Sequence, residues 1–452
     1  MKSGQTDGAP CIGVISPCGW GNLGDAAIVT ATIEGLQARV PKAKLFGITS
    51  NPKDTEQRHQ IPAFPLTAER YKYKDDIDTH SAEKRVQSVS GRSAASSGFS
   101  LRKAKWLSPL RKIIRRGKCF LQNIRSETRH TVACMAIARD ADLLIIAGGG
   151  QLDDYWGGAW VYPFNLLKWG CVARLAGTPI AILSVGYGTN PSRLSRLFLR
   201  AFLRLSAYCS FRDIRTVSVV REALGVPDPA FVPDLAFGLT VNQQLRTASG
   251  KRTVVGISPI AFADPRAWPV KNALLYENYL NNLALFADWL SRQGYDLIFF
   301  CTDNMDVQCL RDLHERSAGS MSWLDSDAVR PLPYYKDVDV LMAQLARADL
   351  VVASRLHGII LAHRLAKPVM AISYDWKVDV HMSQVGETDD VLDIRSLKYD
   401  TLVAGFQRLV ERRHMTEQRL RSTAAEYAGQ ISTQFDLIVD KFIPKQGVPK
   451  RS

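Results

Sequence analysis

Short apolar, β-branched runs alternate with helical patterns from one end of this 452-residue chain to the other. Parallel strands need a long crossover, usually a helix, so this alternation points to parallel α/β sheets. In the first half, residues 12–16, 45–49, 143–147, 180–184, 208–212 and 231–232 read as strands, and 26–38, 166–176, 191–205 and 217–224 as helices. A polar joint at 241–252 separates these from a second set, with strands at 254–258, 297–301, 350–353 and 369–372. Helical spacing there covers 276–293, 305–316, 337–348, 359–366 and a long run from about 400. The chain is too long for one ordinary domain. The expected fold is therefore α/β: two Rossmann-like domains, 1–240 and 241–452, facing a cleft, the second carrying the terminal helix.

A hydrophobic fraction of 46% is enough for a sizeable core. No apolar run reaches the roughly 18 residues a membrane span needs. The first ten residues lack the apolar segment of a signal peptide. Eight cysteines are scattered without a C-x-x-C pair, which favours neither zinc nor a disulfide framework. A reducing, cytoplasmic location is the simplest expectation.

The net charge of +14 is unevenly placed. Residues 101–130 hold ten Lys or Arg against one acid, Glu127, and so contribute +9 of it. Apolar side chains, Trp106 to Ile124 among them, are interleaved at helical spacing. Together with the Ser/Lys-rich stretch before it, which reads as a flexible loop, this segment forms a basic helical insertion over about 66–135 of the first domain. Such a stretch suits either a solvated helix or an anionic membrane surface, giving peripheral contact at the inner face. No nucleic-acid motif accompanies the charge, so no nucleic-acid partner is expected.

The chemistry-bearing residues gather at strand ends, where open α/β sheets bind ligands. The run 350–353 passes directly into Ser354-Arg355-Leu356-His357-Gly358. A guanidinium there can grip a phosphate or carboxylate, and an adjacent helix start adds backbone N–H groups. The imidazole of His357 can exchange a proton near neutral pH; a helix-capping imidazole is the plainer alternative. Gly19 to Gly24 matches G-x-G-x-x-G, but no acid follows the second strand before Asp54, so a dinucleotide is not expected. Asp25 is either a first-turn acid or a cleft-facing carboxylate that binds a hydroxyl or takes its proton. Gly148-Gly149-Gly150 permits a sharp turn and close ligand approach. Arg212-Asp213 and Pro233-Asp234 end the remaining strands. No His, Asp and Glu set has metal-ligand spacing, and no metal is expected.

In their order, Gly21-Asn-Leu-Gly-Asp25, Gly148–Gly150, Arg212-Asp213, Pro233-Asp234, Ser354–Gly358 and Asp375-Trp376-Lys377 resemble the polysaccharide pyruvyl transferase family, over residues 12–380. Ala26 stands where that family often has an acid. The resemblance implies two-domain, GT-B-like enzymes that move a pyruvyl group from phosphoenolpyruvate onto sugar hydroxyls, commonly as a ketal. It implies phosphoenolpyruvate as a donor substrate with no further cofactor, and a glycan or lipid-linked glycan acceptor. Carried over, it makes His357 the general acid and Asp25 the base or acceptor binder. Arg355, Leu356, Arg212, Lys377, Gly148, Gly149 and Gly150 become substrate-binding. Two other readings stand beside it: a GT-B glycosyltransferase using a nucleotide sugar, and a non-catalytic membrane-surface component of polysaccharide assembly.

Overall fold

The computed structural model describes residues 9–19, 21–68, 108–155, 157–188, 191–241, 252–317 and 337–443, with only the backbone over 108–121. Residues 69–107, including the expected loop and the start of the basic segment, lie outside the described residues. The first sheet has strands β1 (Cys11–Ser16), β2 (Lys44–Thr49), β3 (Ala63–Pro65), β4 (Leu143–Ala147), β5 (Ile180–Val185), β6 (Tyr208–Phe211) and β7 (Ala230–Phe231). They pair in parallel in the order β3-β2-β1-β4-β5-β6-β7. The second sheet contains β8 (Val254–Ser258), β9 (Asp296–Phe299), β10 (Leu350–Ala353), β11 (Val369–Ser373) and β12 (Val391–Asp393), in the parallel order β12-β11-β10-β8-β9. The central strands are buried along most of their length, as expected for sheets covered on both faces by helices.

Each order reverses once, between β1 and β4 in the first sheet and between β10 and β8 in the second. Crevices open at these switch points, beyond the carboxyl ends of the strands. In the first sheet the helices are α1 (Leu23–Arg39), α2 (Pro52–His59), α3 (Ser108–Asp140), α4 (Tyr162–Ala176), α5 (Arg193–Leu205) and α6 (Ile214–Leu224). The second has α7 (Ala273–Arg292), α8 (Met305–Ser317), α9 (Val338–Arg347), α10 (Leu356–Arg364), α11 (Trp376–Gln384) and α12 (Tyr399–Phe442).

Helix α3 crosses the 135 boundary drawn from the sequence. Its last turns bury Cys134 and Ala138, and Lys168 of α4 donates to both Glu127 (2.6 Å) and His130 Nδ1 (2.8 Å). It therefore serves as the crossover from β3 to β4. The short elements α2, α11, β3 and β12 were not among the sequence expectations. Helix α10 begins three residues earlier than the apolar run suggested, and Arg212 lies just beyond the end of its strand.

One apolar cluster runs from β1 and α1 through the 3₁₀ turn Leu235–Gly238 and α12 into the second sheet, so the two halves share a core. Helix α12 starts on the second half and returns to the first. Arg39 of α1 donates to Asp436 (2.6 Å) and to the Ser432 carbonyl (2.7 Å), and the ring of Phe435 lies where a side chain on Gly35 would stand. Phe435 is only 2% exposed. Phe435→Ala should cost about 3–5 kcal/mol. Because this contact bridges the halves, urea unfolding should show a single transition moved to lower denaturant. Loss confined to the second half would show that the halves unfold independently.

Candidate functional site

The two switch points meet at the start of α1. Asn22 caps this helix by accepting from the Asp25 N–H (3.1 Å), and the Leu23 N–H donates across the boundary to the carbonyl of Thr302, beyond the end of β9 (2.8 Å). Gly24 then lies flat against His357, which follows β10. A Cβ at Gly24 would sit 2.2 Å from both Cγ and Nδ1 of the imidazole. Only glycine lets the imidazole lie this close to the α1 backbone.

Around this contact the charged groups form two sets. In the first, Arg212 Nη1 donates to Asp234 Oδ2 (3.0 Å), and His357 Nε2 stands 3.8 Å from the same oxygen. That separation is an ion-pair distance, and His357 Nε2 has no hydrogen-bond partner among the described residues. Burial opposes ionisation of Asp234, but His357 and Arg212 beside it outweigh that and hold its carboxyl well below the usual carboxylate range. Asp234 also caps the 3₁₀ turn through the Ala236 N–H (3.1 Å), which fixes its position. Asp213, next to Arg212 in the chain, accepts from the N–H and hydroxyl of Thr216 and caps α6.

In the second set, Arg355 uses its fork on Asp306: Nε donates to Oδ2 (2.7 Å) and Nη2 to Oδ1 (3.0 Å). Its Nη1 lies 3.6 Å from Asp303. The bidentate grip that the sequence suggested for a substrate anion is thus made to a buried carboxylate of this chain. Arg355 is also the N-cap of α10 and makes no side-chain cap, so the first N–H groups of that helix are not capped by it.

Asp25 follows Gly24 and projects toward the glycine turn after β4. A Cβ on Gly149 would come within 3.5 Å of its Oδ1. Gly148 and Gly149 have φ of +45° and +70°, left-handed backbone that favours glycine, while Gly150 is exposed. Burial pushes the Asp25 carboxyl above its ordinary value; His357 and Arg212 pull it back, and Asp303 and Asp234 push it further. Opposite, Arg212, Asp234, Phe237, Leu356, Lys377 and His381 line one cleft between the halves. Lys377 lies in the first turn of α11 with its Nζ 5.1 Å from the Tyr374 ring centre. Behind the cleft wall, His381 Nε2 and the buried His363 Nδ1 are 3.0 Å apart, and burial drives the His381 imidazole well below its ordinary range.

A family model for polysaccharide pyruvyl transferase matches residues 22–375. The chain belongs to the polysaccharide pyruvyl transferase family. This agrees with the resemblance carried by the strand-end motifs, and it makes the protein a transferase of polysaccharide biosynthesis. A search of curated proteins returned no match. Among solved structures, the S. aureus MnaA–UDP co-structure is 10% identical with a TM-score of 0.53, covering 98% of this chain and 100% of that one. A putative UDP-N-acetylglucosamine 2-epimerase from Listeria monocytogenes is 9% identical with a TM-score of 0.54, covering 98% and 100%. A further UDP-N-acetylglucosamine 2-epimerase, 10% identical, gives a TM-score of 0.50 over 99% and 100%. These likenesses show the fold, the two-domain α/β architecture of GT-B type.

The structure brings Arg212, Leu356 and Lys377 into one cleft and sets Asp25 and His357 on adjoining backbone at its edge. Gly148 and Gly149 form the turn beside Asp25. Sequence reasoning had not singled out Asp303 and Asp306, although the run Cys301-Thr302-Asp303 ends a strand as the other motifs do. Asp234 was noted only as part of a motif.

The two carboxylates should answer substitution with opposite signs. Asp25 has a raised folded-state value, so its ionised form destabilises the native state at neutral pH. Asp25→Asn should therefore raise the melting temperature at pH 7.5, with the gain fading as pH falls through the raised folded value and gone once it is below the ordinary carboxylate value. Asp234 has a lowered value, so its contribution is complete at neutral pH and is lost as pH falls through the folded value. Asp234→Asn leaves Arg212 short of its partner and should cost about 3–5 kcal/mol at pH 7. Calorimetric melts across pH would check both signs.

Proposed function

We propose that this cleft binds phosphoenolpyruvate and transfers its pyruvyl group to hydroxyls of a glycan acceptor as a ketal. The observation that carries this reading is the half-buried His357, lacking a hydrogen bond at Nε2 among the described residues and bordered by Asp234, Asp25 and the open start of α10. The donor brings a phosphate and a carboxylate, so it needs two cationic grips. Lys377 and Arg212 supply one side, and the first N–H groups of α10 supply the other, since a helix start attracts anions. Arg355, held by Asp306 and Asp303, acts by fixing that helix start. Leu356 walls the donor, and the Gly148–Gly150 turn lets the acceptor approach Asp25.

Protonated His357 delivers its proton to the methylene carbon, which leaves C2 electron-poor. A sugar hydroxyl attacks C2 and gives its proton to Asp25, whose carboxyl burial raises above its ordinary value. The bond from C2 to the phosphate oxygen then breaks, and a second hydroxyl closes the ketal. The two hydroxyl protons balance the new methyl group and the hydrogen phosphate released. The acceptor is a polysaccharide or its lipid-linked precursor, reached at the inner face of the membrane with peripheral contact through 101–130. No cofactor beyond the donor is required.

Calorimetric titration tests the donor. Phosphoenolpyruvate should bind, uridine and guanosine diphosphate sugars should not, and Lys377→Met should weaken binding by about tenfold or more, as expected for loss of a charge-assisted contact. Binding of a nucleotide sugar alone would make the protein a glycosyltransferase. With an acceptor in hand, His357→Ala should lower the transfer rate by roughly 10²–10⁴-fold.

A further inference from the structure

Helix α5 reads Arg-Leu-Ser-Arg-Leu-Phe-Leu-Arg-Ala-Phe-Leu-Arg-Leu and contains no acid. Its inner face buries Ser195, Leu199, Phe202 and Leu203. Arg193, Arg196, Arg200 and Arg204 follow one another at intervals of three and four residues, which places them in one stripe on the outer face. All four are exposed, and none forms an ion pair among the described residues. Beside the stripe, Leu194 is 37% and Leu197 60% exposed. Trp160, just before α4, is 56% exposed, with its ring 5.3 Å from Phe198 of α5 and 5.5 Å from Phe164.

This surface is tied to the cleft. A crossover helix starts at the carboxyl ends of parallel strands, so Trp160, Leu194 and Leu197 lie at the cleft side of the helical layer. Asp154, in the loop after the Gly148–Gly150 turn, accepts from the Ser192 N–H (2.9 Å) and the Ser195 hydroxyl (2.5 Å) at the start of α5. Helices α3 and α4 continue the layer. Helix α3 adds exposed Ile124, Arg125, Arg129 and Val132.

A stripe of cations alone would suit any polyanion. Exposed leucines and a tryptophan at its margin gain nothing from a nucleic acid groove, whereas an anionic bilayer takes up both: phosphates meet the guanidiniums, and apolar side chains enter the headgroup boundary. We propose that the outer face of α5, together with Trp160, docks peripherally on an anionic phospholipid bilayer and holds the cleft mouth beside a lipid-anchored glycan acceptor. The acceptor part of this proposal rests on the pyruvyl-transfer reading above; the membrane contact itself does not.

Sedimentation with vesicles tests it, using phosphatidylcholine alone and an equal mixture with phosphatidylglycerol. The full chain should partition onto the mixed vesicles and not the neutral ones. Since each basic residue near such a surface is worth about fivefold, Arg193→Gln, Arg196→Gln and Arg204→Gln together should lower partitioning roughly 100-fold. Trp160→Ser with Leu197→Gln should also weaken it, and less steeply with salt. These residues lie outside the donor cleft, so phosphoenolpyruvate titration should be unchanged in every variant and reports independently on the donor reading. The proposal is overturned if the full chain ignores anionic vesicles, or if the triple variant partitions as the parent does. It is also overturned if the Trp160 and Leu197 substitutions leave partitioning unaltered, because the surface would then be a general polyanion site.

Discussion

The close approach of Gly24 to the His357 imidazole is the contact on which the rest of the site depends. It brings the first turn of α1, from one half of the molecule, onto the residue that follows β10 in the other half. The adjacent hydrogen bond from the Leu23 N–H to the Thr302 carbonyl locks the same boundary from the backbone. With the halves joined there, three groups converge that no single domain contains. Asp25 comes from α1, Asp234 from the loop after β7, and His357 from α10. A side chain at position 24 would separate them, whatever its chemistry. The shared apolar core and the returning helix α12 keep this geometry rigid, so positioning comes from packing far from the chemistry.

The electrostatics follow from the same closeness. Burial raises the energy of every ionised carboxylate at the boundary, and the neighbouring cations decide which of them are relieved. Asp234 is held ionised by Arg212 and His357, while Asp25 is left with a raised value. Two acids of the same type are thereby shifted to opposite sides of the ordinary carboxylate value by their surroundings. Asp306 is buried completely and holds the Arg355 fork while also accepting from the Ala261 N–H (2.9 Å); removing Arg355 would leave its buried charge uncompensated. Arg355 is therefore part of the scaffold that fixes the start of α10.

Much of this was legible in the sequence, and the misses have physical causes. The central strands are long, apolar and β-branched, so their runs marked β1, β4, β8 and β10 within a residue or so. Edge strands such as Ala63–Pro65 and Val391–Asp393 are only three residues long and half exposed, and they leave no apolar run to read. Helix α11 opens with Asp375 as its cap and carries too few apolar positions to show a period. At the site, strand-end position picked out Arg212, Asp25 and His357 because parallel sheets place ligands there. The partners of those residues were not readable. Whether Arg212 pairs with Asp213 beside it or with Asp234, and whether the Arg355 fork faces substrate or Asp306, is decided by how two domains close. A single sequence carries no period or spacing for that.

A crystal structure of the complex with phosphoenolpyruvate tests the central claim most directly. The account predicts a donor lying across the domain boundary, with its phosphate and carboxylate shared between Lys377, Arg212 and the start of α10. Its methylene carbon should face His357 Nε2, and the side from which a hydroxyl attacks should open toward Asp25 and Gly149. A donor bound elsewhere, or bound with its methylene turned away from His357, would contradict it.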